Sequence, residues 1–205
     1  MLEVVEVSTG QIEGAKLEQV TFSLPKASVG IIIGPDEEGR AVMLQCIAGL
    51  VPYSGQIRIR GIENGELEAK KQLVYVPSQP ELYEALTVKE HLGFMEMAYG
   101  VSSSEQEKGE LLLRFGLSEE KDRLCSELSA EKKKKTALCG ALIVKPALLL
   151  LDDPAAGLAE EDIRELRFCL ATGKEAGRSV LISSHSVDVA QDIWDQAFIM
   201  EQGKI

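Results

Sequence analysis

The stretch Gly34-Pro35-Asp36-Glu37-Glu38-Gly39-Arg40-Ala41 has the spacing of a phosphate-binding loop. In that loop, G-x-x-x-x-G-K-[ST], backbone N–H groups cradle phosphates, the lysine reaches the outer phosphates and the hydroxyl holds Mg²⁺. Both glycines are in place here, but the side chains that meet the ligand are not. Arg40 stands at the lysine position and keeps the charge as a bulky planar fork rather than a compact ammonium. Ala41, at the hydroxyl position, has no oxygen to offer a metal. Asp36, Glu37 and Glu38 bring three carboxylates to a place meant for polyphosphate. Each close pair of like charges costs about 1–4 kcal/mol at a surface site. The helix dipole that would attract phosphate contributes only about 0.3–1 kcal/mol. Repulsion wins.

Further polar groups stand at the ends of apolar runs. Ala147–Leu151 closes in Asp152-Asp153-Pro154, and Ser179–Ser183 is followed at once by Ser184-His185. Between the loop and these ends lie Gln72–Val76 with Pro77-Ser78-Gln79, the segment Leu128-Ser129-Ala130-Glu131-Lys132, and Gly157-Leu158-Ala159.

The elements that must position these groups follow from the patterning. Leu2–Val7 alternates, and with Leu17–Leu24 and Ile57–Gly61 it predicts half-exposed strands of an antiparallel sheet, the last at an edge. Ser28–Ile33, Ala147–Leu151 and Ser179–Ser183 read as strands buried on both faces, separated by helices. That order predicts a mainly parallel sheet whose polar strand ends gather at one edge. Helices are expected over Arg40–Leu50, over Thr87 to about Ser126 with a break at Gly100–Ser104, over Thr136–Val144 and over Glu160–Thr172. The basic run Lys132–Lys135 reads as a solvated helix face.

Taken in order, these motifs resemble the ATP-binding subunits of ABC transporters. That family's pattern is a phosphate loop, a glutamine loop, an LSGGQ signature, an hhhhDEP strand end, a GLD loop and a switch histidine. The resemblance spans essentially the whole chain, including Cys46–Leu50 before Ser54-Gly55 and Leu82–Val88. The segment Leu86–Leu92 resembles exporter-type members most. It implies an α/β fold of the P-loop NTPase type: a mainly parallel sheet, an N-terminal antiparallel β portion and a helical subdomain at about 85–135. Residues 1–205 are then a single domain, ending at Gln202–Ile205 where family members usually continue.

By the same resemblance, ATP and Mg²⁺ are the expected cofactors, with Gly34, Asp36, Glu37, Glu38, Gly39, Arg40 and Ala41 around the phosphates. Gln79, or Ser78 depending on register, takes the glutamine-loop position, and Ser129 belongs to the signature. Asp152 takes the Mg²⁺ position, Asp153 the place of the water-positioning Glu, and His185 the switch histidine. Departures are many. Asp153 is one methylene short, and a misplacement of about 1 Å can cost roughly 100-fold in rate. Ala130 and Glu131 replace signature glycines, Ala159 replaces the GLD aspartate, and Ser8–Ile12 lacks an aromatic residue for adenine. Arg40 is expected to pair with the loop carboxylates or with Asp152, closing the loop from inside.

Three functions are compatible with this. A degenerate pseudo-ATPase would act as a structural or regulatory subunit beside a membrane-spanning transporter subunit and a second ATP-binding subunit. A weakly active ATPase subunit and a soluble binding module without a transporter are the alternatives. Nucleic acid is excluded as a partner by a net charge of −11 and a pI near 4.8, since a duplex needs clustered positive charge. The longest apolar run is far below the about 20 residues that cross a bilayer. Four cysteines without C-x-x-C pairing read as free thiols in a reducing compartment. The expected location is therefore cytoplasmic, peripheral on the inner face of the cell membrane.

Overall fold

The computed structural model describes residues 1–12, 14–35 and 37–205; of Glu37 and Glu38 it describes the backbone alone. Elements run in the order β1 (Leu2–Ser8), β2 (Val20–Leu24), β3 (Val29–Ile33), α1 (Glu37–Ala48), β4 (Ser54–Ile59), β5 (Ile62–Glu63) and α2 (Leu67–Lys70). Then come β6 (Leu73–Val76), α3 (Val88–Tyr99), α4 (Glu105–Arg114) and α5 (Ala130–Val144). The chain closes with β7 (Leu148–Asp152), α6 (Glu160–Glu175), β8 (Ser179–Ser183) and β9 (Gln196–Ile199).

Two sheets result. One is antiparallel, in the order β2-β1-β4-β5, and the other is a parallel sheet ordered β6-β7-β8-β3-β9. Every residue of β7 and β8 is buried, as expected for strands covered on both faces. One face of the parallel sheet packs with α1 and the antiparallel sheet around Ile32, Leu44, Ile47 and Leu150. Its other face is covered by α3, α5 and α6 through Leu92, Leu138, Leu151 and Leu166. The α/β architecture is thus as the patterning predicts.

Several local expectations are corrected. β2 begins at Val20, not Leu17, because Leu17 N–H instead bonds Thr9 Oγ1 at 3.0 Å and Gln19 turns through φ +49°. β4 lies inside its sheet, flanked by β1 and the two-residue β5, and not at an edge. α1 starts three residues before Arg40, so Glu37, Glu38 and Gly39 are helical. α5 starts at Ala130, six residues before Thr136, because Ser129 caps it by accepting the Lys132 N–H at 3.3 Å. The thiols of Cys46, Cys125 and Cys139 are buried, and burial pushes Cys46 up to about 12, so it stays protonated.

α3 is fixed by a reciprocal cap, Thr87 accepting from Glu90 N–H while Glu90 accepts from Thr87 N–H at 2.8 Å. It packs on α5 through His91, which is 5% exposed and faces Gly140. Burial pushes the His91 imidazole down, and its Nδ1 has no partner among the described residues. A depressed histidine binds its proton in the unfolded chain first, so stability is full above about pH 6.5 and falls below it. Denaturant unfolding followed from pH 7 to 5 is expected to lose up to about 1.4 kcal/mol per pH unit from this group. The His91→Leu chain should show a flatter profile over that window.

Candidate functional site

The C-terminal ends of β3, β7 and β8 lie side by side, which is where open parallel sheets place their ligand sites. Backbone bonds continue the ladder past the strands. Asp153 N–H donates to Ser183 O at 2.9 Å, Ser184 N–H to Ile32 O at 3.1 Å, and Met200 N–H to Ile33 O at 2.7 Å. These bonds draw Gly34, Asp152, Asp153 and Ser184-His185 to a common edge.

Gly34 leaves β3 at φ +134°, and a Cβ there would stand 2.1 Å from the Met200 carbonyl oxygen. This glycine is needed both for its dihedral and for the close approach of the chain after β9. Arg40, in the first turn of α1, is 3% exposed, and its Nη1 donates to the Gly34 carbonyl oxygen. Its Nε has no partner among the described residues. Arg40 therefore points into its own loop and not into solvent. It makes no direct ion pair with Asp152, but its charge favours the ionised form of that carboxyl. Asp36, and the carboxylates of Glu37 and Glu38, lie outside the described residues, so their expected pairing with Arg40 does too.

Asp152 is 7% exposed. Burial pushes its carboxyl up, while hydrogen bonds from the Ser183 hydroxyl and the Ser78 N–H pull it back. Of the two candidates for the glutamine-loop position, Ser78 reaches Asp152 through its backbone N–H, and Gln79 is exposed beside the start of α5. Asp153 sits at φ +39°, and its Oδ1 stands 3.6 Å from His185 Nδ1, beyond hydrogen-bond reach. The His185 side chain is 71% exposed. Ser129 is exposed and engaged as a helix cap, with no polar contact to Arg40, Asp152, Asp153 or His185. Ala159 begins α6 by donating its N–H to Asp162 Oδ2 at 3.3 Å.

One residue of this edge was not foreseen. Lys134, within the run expected to be a solvated face, is 4% exposed. Its Nζ donates to Asp153 O at 2.6 Å and to Ala156 O at 3.0 Å. The amphipathic helix pattern of α5 hides it, because a lysine at a buried helical position looks like any other charge in a run.

Mg²⁺ takes an octahedral set of oxygens; Ala41 supplies none, and the buried carboxylate of Asp152 accepts from Ser183 and Ser78. No group of three or more metal-ligating side chains occurs among the described residues.

A sequence profile of the ABC transporter family matches residues 17–156. The chain belongs to that family. It is 29% identical over 208 residues to the SkfA peptide export ATP-binding protein SkfE of Bacillus subtilis (strain 168), covering all of this chain and 87% of SkfE. It is 30% identical over 210 residues to the ABC-type transporter ATP-binding protein EcsA of the same organism, again over the whole chain and 85% of EcsA. Among solved structures, an ATP-binding subunit of an ABC transporter superposes with a TM-score of 0.89 at 30% identity, over 100% of this chain and 88% of that one. The chain pairs a parallel sheet with an antiparallel one, and no described helix is long and apolar enough to cross a membrane.

At this edge Gly34 tolerates no added side chain without a backbone shift. Gly34→Ala is expected to cost more than about 2 kcal/mol, through left-handed strain and the clash with Met200. Urea unfolding of the two chains checks this, with Gly10→Ala, where the added Cβ meets nothing, as the tolerated control.

Proposed function

We propose that this chain is a pseudo-ATPase, a subunit of an ABC transporter that acts as a structural or regulatory partner and does not turn over ATP. The observation that carries the reading is Arg40, buried and bonded to the Gly34 carbonyl inside its own phosphate loop. A guanidinium held there occupies space and directs its positive charge at the loop backbone. Ala41 and the acidic loop residues Asp36, Glu37 and Glu38 work in the same direction, the first by removing a metal ligand and the others by charge.

The partners follow from the surface. Tyr83 is 58% exposed and packs edge-on against Phe94 with ring centroids 4.6 Å apart, next to Met97 at 73% exposure. This apolar patch joins the 77–88 loop to the helical portion at about 85–135, and it suits docking on a membrane-spanning subunit from the cytoplasmic side. A second ATP-binding subunit completes the assembly. Because both the phosphate loop and the Ser129–Glu131 signature are altered, an intact partner would restore neither shared site fully.

A thermal-shift titration with Mg-ATP tests the proposal. A binding site stabilises the fold by about 2.7 kcal/mol at a hundred times the dissociation constant. No shift is expected at millimolar Mg-ATP, and a saturable shift overturns the reading. The second reading, a weak ATPase, is favoured by the survival of Asp153 and His185 as neighbours at 3.6 Å. It requires Mg-ATP turnover above blank that disappears in Asp152→Asn, and no such turnover is expected.

A further inference from the structure

We infer that Lys134 is a positioning residue: its buried ammonium rivets the signature helix α5 to the turn 153–156, so that the two move as one unit. The geometry is specific. Both acceptors are backbone carbonyls, Asp153 O at 2.6 Å and Ala156 O at 3.0 Å, and they flank the turn that follows the acidic strand end. Burial pushes the Lys134 ammonium down, and the charges of Asp153 and Asp152 push it back.

A desolvated ammonium is tolerated only where such donors and charges are satisfied. The cost of removing it therefore falls on both segments. The turn depends on it in particular, because Asp153 is held at φ +39°, a dihedral that a non-glycine residue keeps only when its surroundings fix it.

The neighbouring lysines extend the pattern. Lys132 pairs with Glu120 in the turn after α4, and Lys135 pairs with Asp162 at 2.9 Å at the start of α6. Three lysines of this one run, Lys132, Lys134 and Lys135, thus tie three different segments to the helix. Lys133 makes no ion pair among the described residues and serves as the control. The run is a set of internal ties, with Lys134 the most buried member. This inference holds whether or not the chain hydrolyses ATP.

Hydrogen–deuterium exchange on the full chain tests it. In Lys134→Met, amides in 130–136 and in 153–158 should both exchange at least about ten-fold faster, the change that corresponds to one charge-assisted hydrogen bond. The strand cores 73–76 and 179–183 should stay protected. Lys133→Met should leave both segments as they are. Lys134→Gln, which keeps an amide donor at shorter reach, is expected to fall between wild type and Lys134→Met, and it carries the test if the methionine variant does not fold. Unchanged exchange at 153–158 in either variant overturns the inference, as does acceleration confined to 130–136.

Discussion

Burying β3, β7 and β8 on both faces is the constraint from which the rest of this molecule follows. A strand covered on both sides has no room for polar side chains along its length, so they collect where it ends. Three parallel strands end together, and the ends therefore share a single edge. Asp152 is caught there at 7% exposure, and a carboxylate so placed needs compensation. The chain supplies it from its own groups: the Ser183 hydroxyl, the Ser78 N–H and the charge of Arg40. Lys134 braces the same edge from the side of α5. Arginine and lysine thus bring positive charge to this edge.

This internal compensation ties the altered motifs together. Arg40, bonded to the Gly34 carbonyl, and Ala41, which has no oxygen to offer a metal, stand side by side in the first turns of α1. α1 starts at Glu37, so Glu37, Glu38 and Gly39 are helical. Acidic residue types in its first turn suit that start.

Much of this was legible in the residues. The doubly buried strands announce themselves as short β-branched or leucine-rich runs closed by polar residues, so β3, β7 and β8 and the gathering of Gly34, Asp152 and His185 could be placed in advance. The order of motifs identified the family. Other elements were hidden for physical reasons. β9 is a four-residue strand whose side chains alternate between half-buried and exposed, and it lies at the sheet's edge, so its hydrophobic signal is weak. The first turns of α5 are polar in composition and become helical through the Ser129 cap and tertiary ion pairs, which no local pattern displays. Lys134 was hidden for the related reason that burial of one lysine in a run of four depends on what packs against that face of the helix. The contact of the Ser78 N–H with Asp152, a residue far along the chain, was likewise not visible in the local pattern.

Guanidinium-detected NMR of the full chain tests most directly whether Arg40 fills its own loop. A buried arginine bonded through Nη1 should give a resolved, slowly rotating guanidinium signal, assigned by its loss in Arg40→Lys. The account predicts that this signal keeps its position as Mg-ATP is raised to millimolar levels. A saturable displacement of the signal by Mg-ATP would contradict it, showing that the arginine yields the loop to phosphate.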